Sequence, residues 1–174
     1  AFGLASDEGQ NNSNAGALVP TDARLVCLPV RSFQGTFAWC TSALLLNLLR
    51  RDLELAGLDA QQRPPCMSLV REEHLAHAAG TVLKEGNQVF LEEFRFTADE
   101  RPDARAWAEK IAGWVFPDDA AWQEQFTKRF AVLPDDEFNY LAETGTEVSA
   151  RVRIEDDSKT VANGQLWNEE SLPA

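Results

Sequence analysis

Arg151, Arg153 and Lys159 are the only cations after residue 130, in the most acidic part of the chain. They lie within the stretch TEVSARVRIEDDSKTVANGQLWNEESLP, residues 146–173. Arginines two residues apart share one face of an extended strand, so Arg151 and Arg153 could meet the same anion side by side. Glu169 follows the segment that would return beside them, Gly164 to Trp167, where a carboxylate could orient a group or handle a proton. A second reading stays open, in which the hairpin is simply exposed and its arginines keep one face wet.

Two other groupings invite chemistry. A strand over 23–30 followed by Arg31, Ser32 and a turn at Gly35 would lead into a helix over 36–56, whose first amides could receive a phosphate. His74-x-x-His77, preceded by Glu72-Glu73, would place two imidazoles and a carboxylate on one helical face, as some metal sites require. It lacks the His-Glu-x-x-His order of zinc proteases and a clear third ligand, so it reads as a solvated polar helix with no metal site. Neither a nucleophile elbow nor a phosphate-loop or dinucleotide glycine pattern occurs, which argues against the common nucleotide enzymes.

The elements that must position these residues follow from periodicity. Val148, Ala150, Val152 and Ile154 alternate with polar residues, the period of a half-buried strand, and Asn163-Gly164 signals a turn before a returning strand. Over 36–56, Phe37, Leu44, Leu48 and Leu55 form an apolar stripe with Leu45 and Leu49 beside it, and Gly57 stands at the C-cap. Residues 81–83 and 88–96 flank Glu85-Gly86-Asn87 as a second hairpin, with a bulge expected at Glu92-Glu93 where the phase changes. Trp107, Ile111 and Trp114 have helical spacing, as do Trp122 and Phe126, and these aromatics are expected to pack together. A short strand at 130–133 and a helix beginning at Pro134, with Phe138 and Leu141 inward, lead into the 146–173 hairpin.

The 174 residues fit one domain. A net charge of −12 speaks against nonspecific nucleic-acid binding, so any polyanion must be met locally. No apolar run is long enough to span a membrane and no leader pattern opens the chain, which suggests a cytoplasmic protein. Cys27, Cys40 and Cys66 are odd in number and widely spaced, and are expected as buried, reduced thiols. The absence of an initial methionine and the end at Ala174 suggest a piece of a longer protein.

Phe2-Gly3, Ala15-Gly16-Ala17, TDARL, LPVRSFQGTFAWCTSALLL, RRDLELAGL, LPDDEFNYLAETGTEVSARVRI and NGQLWNEESLP together resemble one family. It is the repeat-associated mysterious proteins (RAMPs) of CRISPR systems, within them the backbone subunits of type III-B (Cmr) effector complexes. The resemblance implies an α+β, RRM-like (ferredoxin-like) core, a helical insertion over 60–129, and a protruding thumb hairpin over 146–173. It further implies a single domain over 1–174 lacking its terminal segments, with CRISPR RNA, target RNA, other Cmr subunits and further copies of itself as partners. Arg151, Arg153, Lys159, Trp167, Arg31 and Ser32 are then expected to contact RNA, with Glu169 supporting catalysis near the scissile phosphate.

Target cleavage in this family uses a divalent metal, expected to be magnesium, and an aspartate upstream of this sequence, so this piece alone is expected neither to bind the metal nor to cut. Where the family reads Leu-Trp-Tyr-Glu-Glu-Tyr, this chain has Leu166-Trp167-Asn168-Glu169-Glu170-Ser171, with both tyrosines replaced. The rival readings are a non-catalytic architectural subunit of a ribonucleoprotein, and a small-molecule enzyme with a closed pocket around Trp107, Trp114 and Trp122.

Overall fold

A computed structural model of the chain describes residue 17, residues 22–154 and residues 161–172, with the backbone alone over 161–165. Phe2, most of the first turn-rich stretch and Lys159 fall outside the described residues. The class is α+β. Seven strands form one mixed sheet in the order β1-β2-β7-β3-β6-β5-β4, and two more form a separate hairpin.

The sheet begins with β1 (Leu28–Arg31) paired antiparallel to β2 (Phe37–Ser42), which runs parallel to β7 (Phe130–Leu133). Next come β3 (His74–His77), β6 (Phe94–Glu100), β5 (Gln88–Leu91) and the short β4 (Lys84–Glu85). Residues 60–129, expected as an insertion, thus supply four of these seven strands together with α2 (Pro102–Val115) and α3 (Ala120–Arg129).

The far side of the sheet curls back on its beginning. Ser32 bridges Leu91, the Phe33 amide donates to the Phe90 carbonyl at 3.1 Å, and the Glu92 amide donates to the Arg31 carbonyl at 3.1 Å. The strands therefore wrap around an inner core that includes Leu28, Cys40, Leu75, Val89, Phe96 and Leu133, closed at one end by Phe138 and Leu141 of α4 (Asp135–Thr144). Outside, α1 (Ala43–Leu55) and α2 pack on Ala76, Phe130 and Val132, with Trp107 fully buried. Leucine-sized side chains buried this way contribute about 1.5–3 kcal/mol each relative to exposure.

Several expectations are corrected. The helix expected over 36–56 starts only at Ala43, because FAWCTS is aromatic and β-branched enough to run as a strand and the Ser42 hydroxyl then accepts from the Leu45 amide. Its apolar stripe is out of phase as well: Ala43 and Leu46 are buried, whereas Leu44 and Leu55 are 50% and 79% exposed. The C-terminal signal holds, since the Gly57 amide donates to Glu54 and Leu58 to Leu53, with Gly57 at φ +86°. Glu92-Glu93 is a two-residue turn between β5 and β6, not a bulge, because Leu91 pairs directly with Phe94. The chain reverses there, which accounts for the change of phase.

Candidate nucleic-acid interface

The hairpin consists of β8 (Glu147–Ile154) and β9 (Val161–Ser171), antiparallel, with Val152 opposite Leu166 and a register shift before Ile154 meets Val161. Asn163-Gly164, expected as a turn, lies within β9. Alternation sorts the side chains into two faces. Val148, Ala150, Val152 and Leu166 form one, and Ser149, Arg151, Trp167 and Glu169 form the other, with Arg151 directly opposite Trp167.

The strand expected to be half-buried is exposed on both faces. All eight residues of β8 are exposed, and so are residues 166–172. The alternating pattern is real, but among the described residues no second layer lies against the apolar face, and a lone two-stranded ribbon cannot bury it.

On the polar face, Arg151 Nε donates to Glu169 Oε2 at 2.5 Å, a diagonal cross-strand pair. Both side chains are more than half exposed, so the pair contributes at most about 1 kcal/mol and is easily exchanged. Arg153 forms no ion pair among the described residues. Thr146 Oγ1 donates to a Glu170 carboxylate oxygen at 2.5 Å, tying the two strands at their root. The root itself is set by Gly145, whose amide donates to the Leu141 carbonyl at 2.8 Å to end α4. A Cβ there would come within 2.6 Å of that carbonyl oxygen, so only glycine fits.

Arg31 and Ser32 stand apart from this face. The turn after them joins two strands rather than strand to helix, so no helix N-terminus lies beside them. Arg31 is exposed and donates to Glu92 Oε2 at 2.9 Å, and that hydrogen bond holds its guanidinium pKa above the ordinary value. Ser32 is buried, and its hydroxyl donates to the Phe90 carbonyl at 3.3 Å across the sheet closure. A cleft of about 470 Å³ lies between Arg31, Glu92, Glu93, Tyr140 and Glu147 at the hairpin root. Tyr140 is hydrogen-bonded to Glu93, which raises the phenol pKa. Sequence reading noted Glu92 and Glu93 for backbone shape and passed over Tyr140; polar residues on turns give no periodic signal of what they face.

The two histidines are not a helical pair. They lie on β3, three residues apart and therefore on opposite faces. His74 Nδ1 is 2.8 Å from Asp99 Oδ2, whereas His77 is buried with Nδ1 2.7 Å from the Ala78 carbonyl. Among the described residues, no three His, Cys, Asp or Glu side chains converge to hold a metal ion. Glu169, one carboxylate bound to a guanidinium, is not by itself a donor set for the magnesium that the resemblance assigns to the complete protein. Trp107 is buried with its indole donating to the Pro65 carbonyl, while Trp114 and Trp122 stand on the surface. Trp122 stacks on Phe116, but the three tryptophans do not enclose a pocket together.

The chain is 35% identical over 166 residues to the CRISPR system Cmr endoribonuclease Cmr4 of Pyrococcus furiosus, covering 94% of this chain and 53% of that relative. The crystal structure of oligomeric Cmr4 from the same organism superposes with a TM-score of 0.59 at 28% identity, covering 87% of this chain and 50% of that one. A type III-B Cmr-beta complex bound to cognate target RNA contains a chain of similar fold, with a TM-score of 0.54 at 18% identity, covering 89% of this chain and 55% of that one. The chain thus spans about half the length of the relatives it matches. The RAMP superfamily model matches residues 2–174, and with the curled α+β sheet and its exposed hairpin this places the chain in the RAMP superfamily.

Proposed function

We propose that this chain is about half of a backbone subunit of a type III-B CRISPR RNA-guided effector complex, acting in the cytoplasm. Its partners are CRISPR RNA, target RNA, other Cmr subunits and further copies of itself. The observation that carries this reading is the hairpin, whose described side chains are exposed and which sets Arg151 opposite Trp167 on a face a phosphate backbone can reach, with Arg153 exposed at the register shift beside them. Similarity to a protein named as a Cmr endoribonuclease, and to one crystallised as an oligomer, supports it.

Cutting of target RNA at regular intervals belongs, in this proposal, to the complete protein. Glu169 lies near the scissile phosphate and helps to orient it through Arg151. The magnesium ion and the catalytic carboxylate are supplied outside the described residues. RNA binding by the isolated chain is tested by titrating labelled single-stranded RNA at low and high salt. The expected result is weak binding that falls steeply with salt and is lost in the Arg151→Glu, Arg153→Glu double variant. Tight binding at high salt, or no loss in that variant, would sink the idea.

The architectural reading also has an observation in its favour: the uncovered apolar face of the hairpin, which suits a protein neighbour. Incubating the complete protein, assembled with guide RNA and magnesium, with target RNA separates the two. Cleavage at regular steps excludes a purely architectural role.

A further inference from the structure

Away from the hairpin, the outer face of the curled sheet is left uncovered where α1, α2 and α3 do not reach. There Phe33 is 71% exposed and sits edge-on against Phe90, with ring centroids 6.1 Å apart. Phe90 is paired with Arg95 across β5 and β6, so the two side chains share that face. The next row along the same face is Gln88, Thr97 and His74, aligned by the pairings of β5 with β6 and of β6 with β3.

Phe33 is held in place. Its amide donates to the Phe90 carbonyl, and the preceding Ser32 amide donates to the Thr36 carbonyl at 3.0 Å to fix the turn. Gly35 and Thr36 follow with φ of +75° and +74°, the second a strained conformation for a β-branched residue. Among the described residues, the other two non-glycine residues with positive φ, Glu73 and Glu92, stand at the starts of β3 and of the β5–β6 turn, so the backbone strain described there clusters around this one strip. Two of its bordering carboxylates are engaged, Glu92 with Arg31 and Asp99 with His74. Arg95 is exposed and forms no ion pair among the described residues.

We infer that Phe33, Phe90 and Arg95 form a stacking subsite for an unpaired RNA base, with Gln88, Thr97 and His74 placed to hydrogen-bond its edge or sugar. The inference rests on the RNA-binding reading above. A rigid exposed ring beside a guanidinium is the chemistry that holds single-stranded nucleic acid with little sequence preference. A protein partner is disfavoured here, because protein contacts centre on contiguous apolar surface. This aromatic pair is instead bordered by an arginine, an amide, a hydroxyl and an imidazole. That arrangement also gives Arg31 a part as a clamp on Glu92, keeping the carboxylate away from the base.

The test uses the full 174-residue chain and a short fluorescein-labelled oligouridylate read by anisotropy. Phe33→Ala should weaken binding about fivefold or more without changing the salt slope. Arg95→Gln should also weaken it and lower the log–log salt slope by about 0.7. A 5-iodouridine oligonucleotide should crosslink on irradiation to a peptide containing Phe33 or Phe90. Since Phe33 is exposed, thermal melts of Phe33→Ala should match the parent, and Phe33→Trp should retain binding.

Loss of binding in the Arg151→Glu, Arg153→Glu variant but not in Phe33→Ala would overturn the subsite and leave the RNA reading intact. Failure of the parent chain to bind RNA at low salt would overturn both. Reduced self-association in Phe33→Ala with unchanged RNA affinity would identify a protein contact and also overturn the subsite.

Discussion

Under the proposed function, Arg151 exchanges one anion for another on meeting RNA, because Glu169 lies 2.5 Å from its guanidinium. Glu169→Gln removes that competitor and one negative charge, and is expected to raise RNA affinity of the isolated chain about twofold to fivefold at low salt, measured by anisotropy. His77 shows the opposite relation of burial to charge. Burial holds its pKa below the ordinary 6.5, outweighing the hydrogen bond to the Ala78 carbonyl, while Lys84 lowers it further and Glu100 and Asp99 act the other way. The unfolded chain therefore takes up a proton first as pH falls through 6.5. The stability associated with neutral His77 is complete above that value and is lost as pH falls toward the depressed folded value. Thermal melts between pH 7.5 and 5 should show this loss in the parent and a flatter profile in His77→Gln. The thiols also separate by environment: burial pushes Cys27 up to about 12 and Cys40 well above its ordinary value, whereas Cys66 is exposed. Iodoacetamide at neutral pH should label Cys66 first, as mass spectrometry of the intact chain would show.

Elements were legible where local chemistry and tertiary context agree. The reversal at Gly86-Asn87, the strand at 130–133, the helix after Pro134 and the Gly57 stop all follow from turn formers and short apolar runs. The first strand of the second hairpin, however, is Lys84–Glu85 and not 81–83 as expected. Two failures have one cause. FAWCTS and HLAH are strands because they lie beside β7 at the centre of the sheet, a pairing between distant parts of the chain that a local window does not contain. The candidate site was legible as a polar strand face with Arg151, which period two gives, and Glu169 close by, whereas the register that pairs them depends on the returning strand running on to Ser171. The Arg31–Glu92 pair was not, because it depends on sheet closure. Position 35 demands glycine for a local reason: φ is +75° and a Cβ would lie 2.9 Å from Val82 Cγ2. Gly35→Ala should cost about 1–2 kcal/mol from backbone strain alone and lower the melting temperature by several degrees.

At the scale of the whole molecule, the curled sheet and the hairpin are energetically separate. The described hairpin side chains are exposed, so the core does not draw stability from them. Removing residues 147–172 should leave the melting temperature within a few degrees of the parent and abolish the salt-sensitive RNA binding. A large fall in melting temperature would show that the hairpin supports the core. Under the proposed function the division is compatible with the net charge of −12, because the hairpin cations assigned to RNA are few and local.

The meeting of β1 with β5 has a kinetic side. Ser32 and Phe90 are 58 positions apart in the chain, and the bonds between them complete a ring whose other strands are already paired. Closing so long a loop costs entropy that the neighbouring contacts repay only once they exist, so this junction should form late in folding. It should also be the first part of the sheet to open in the native state. In deuterium exchange, the Phe33 and Glu92 amides should then exchange together, well before Ala131 and Val132 in the central strand.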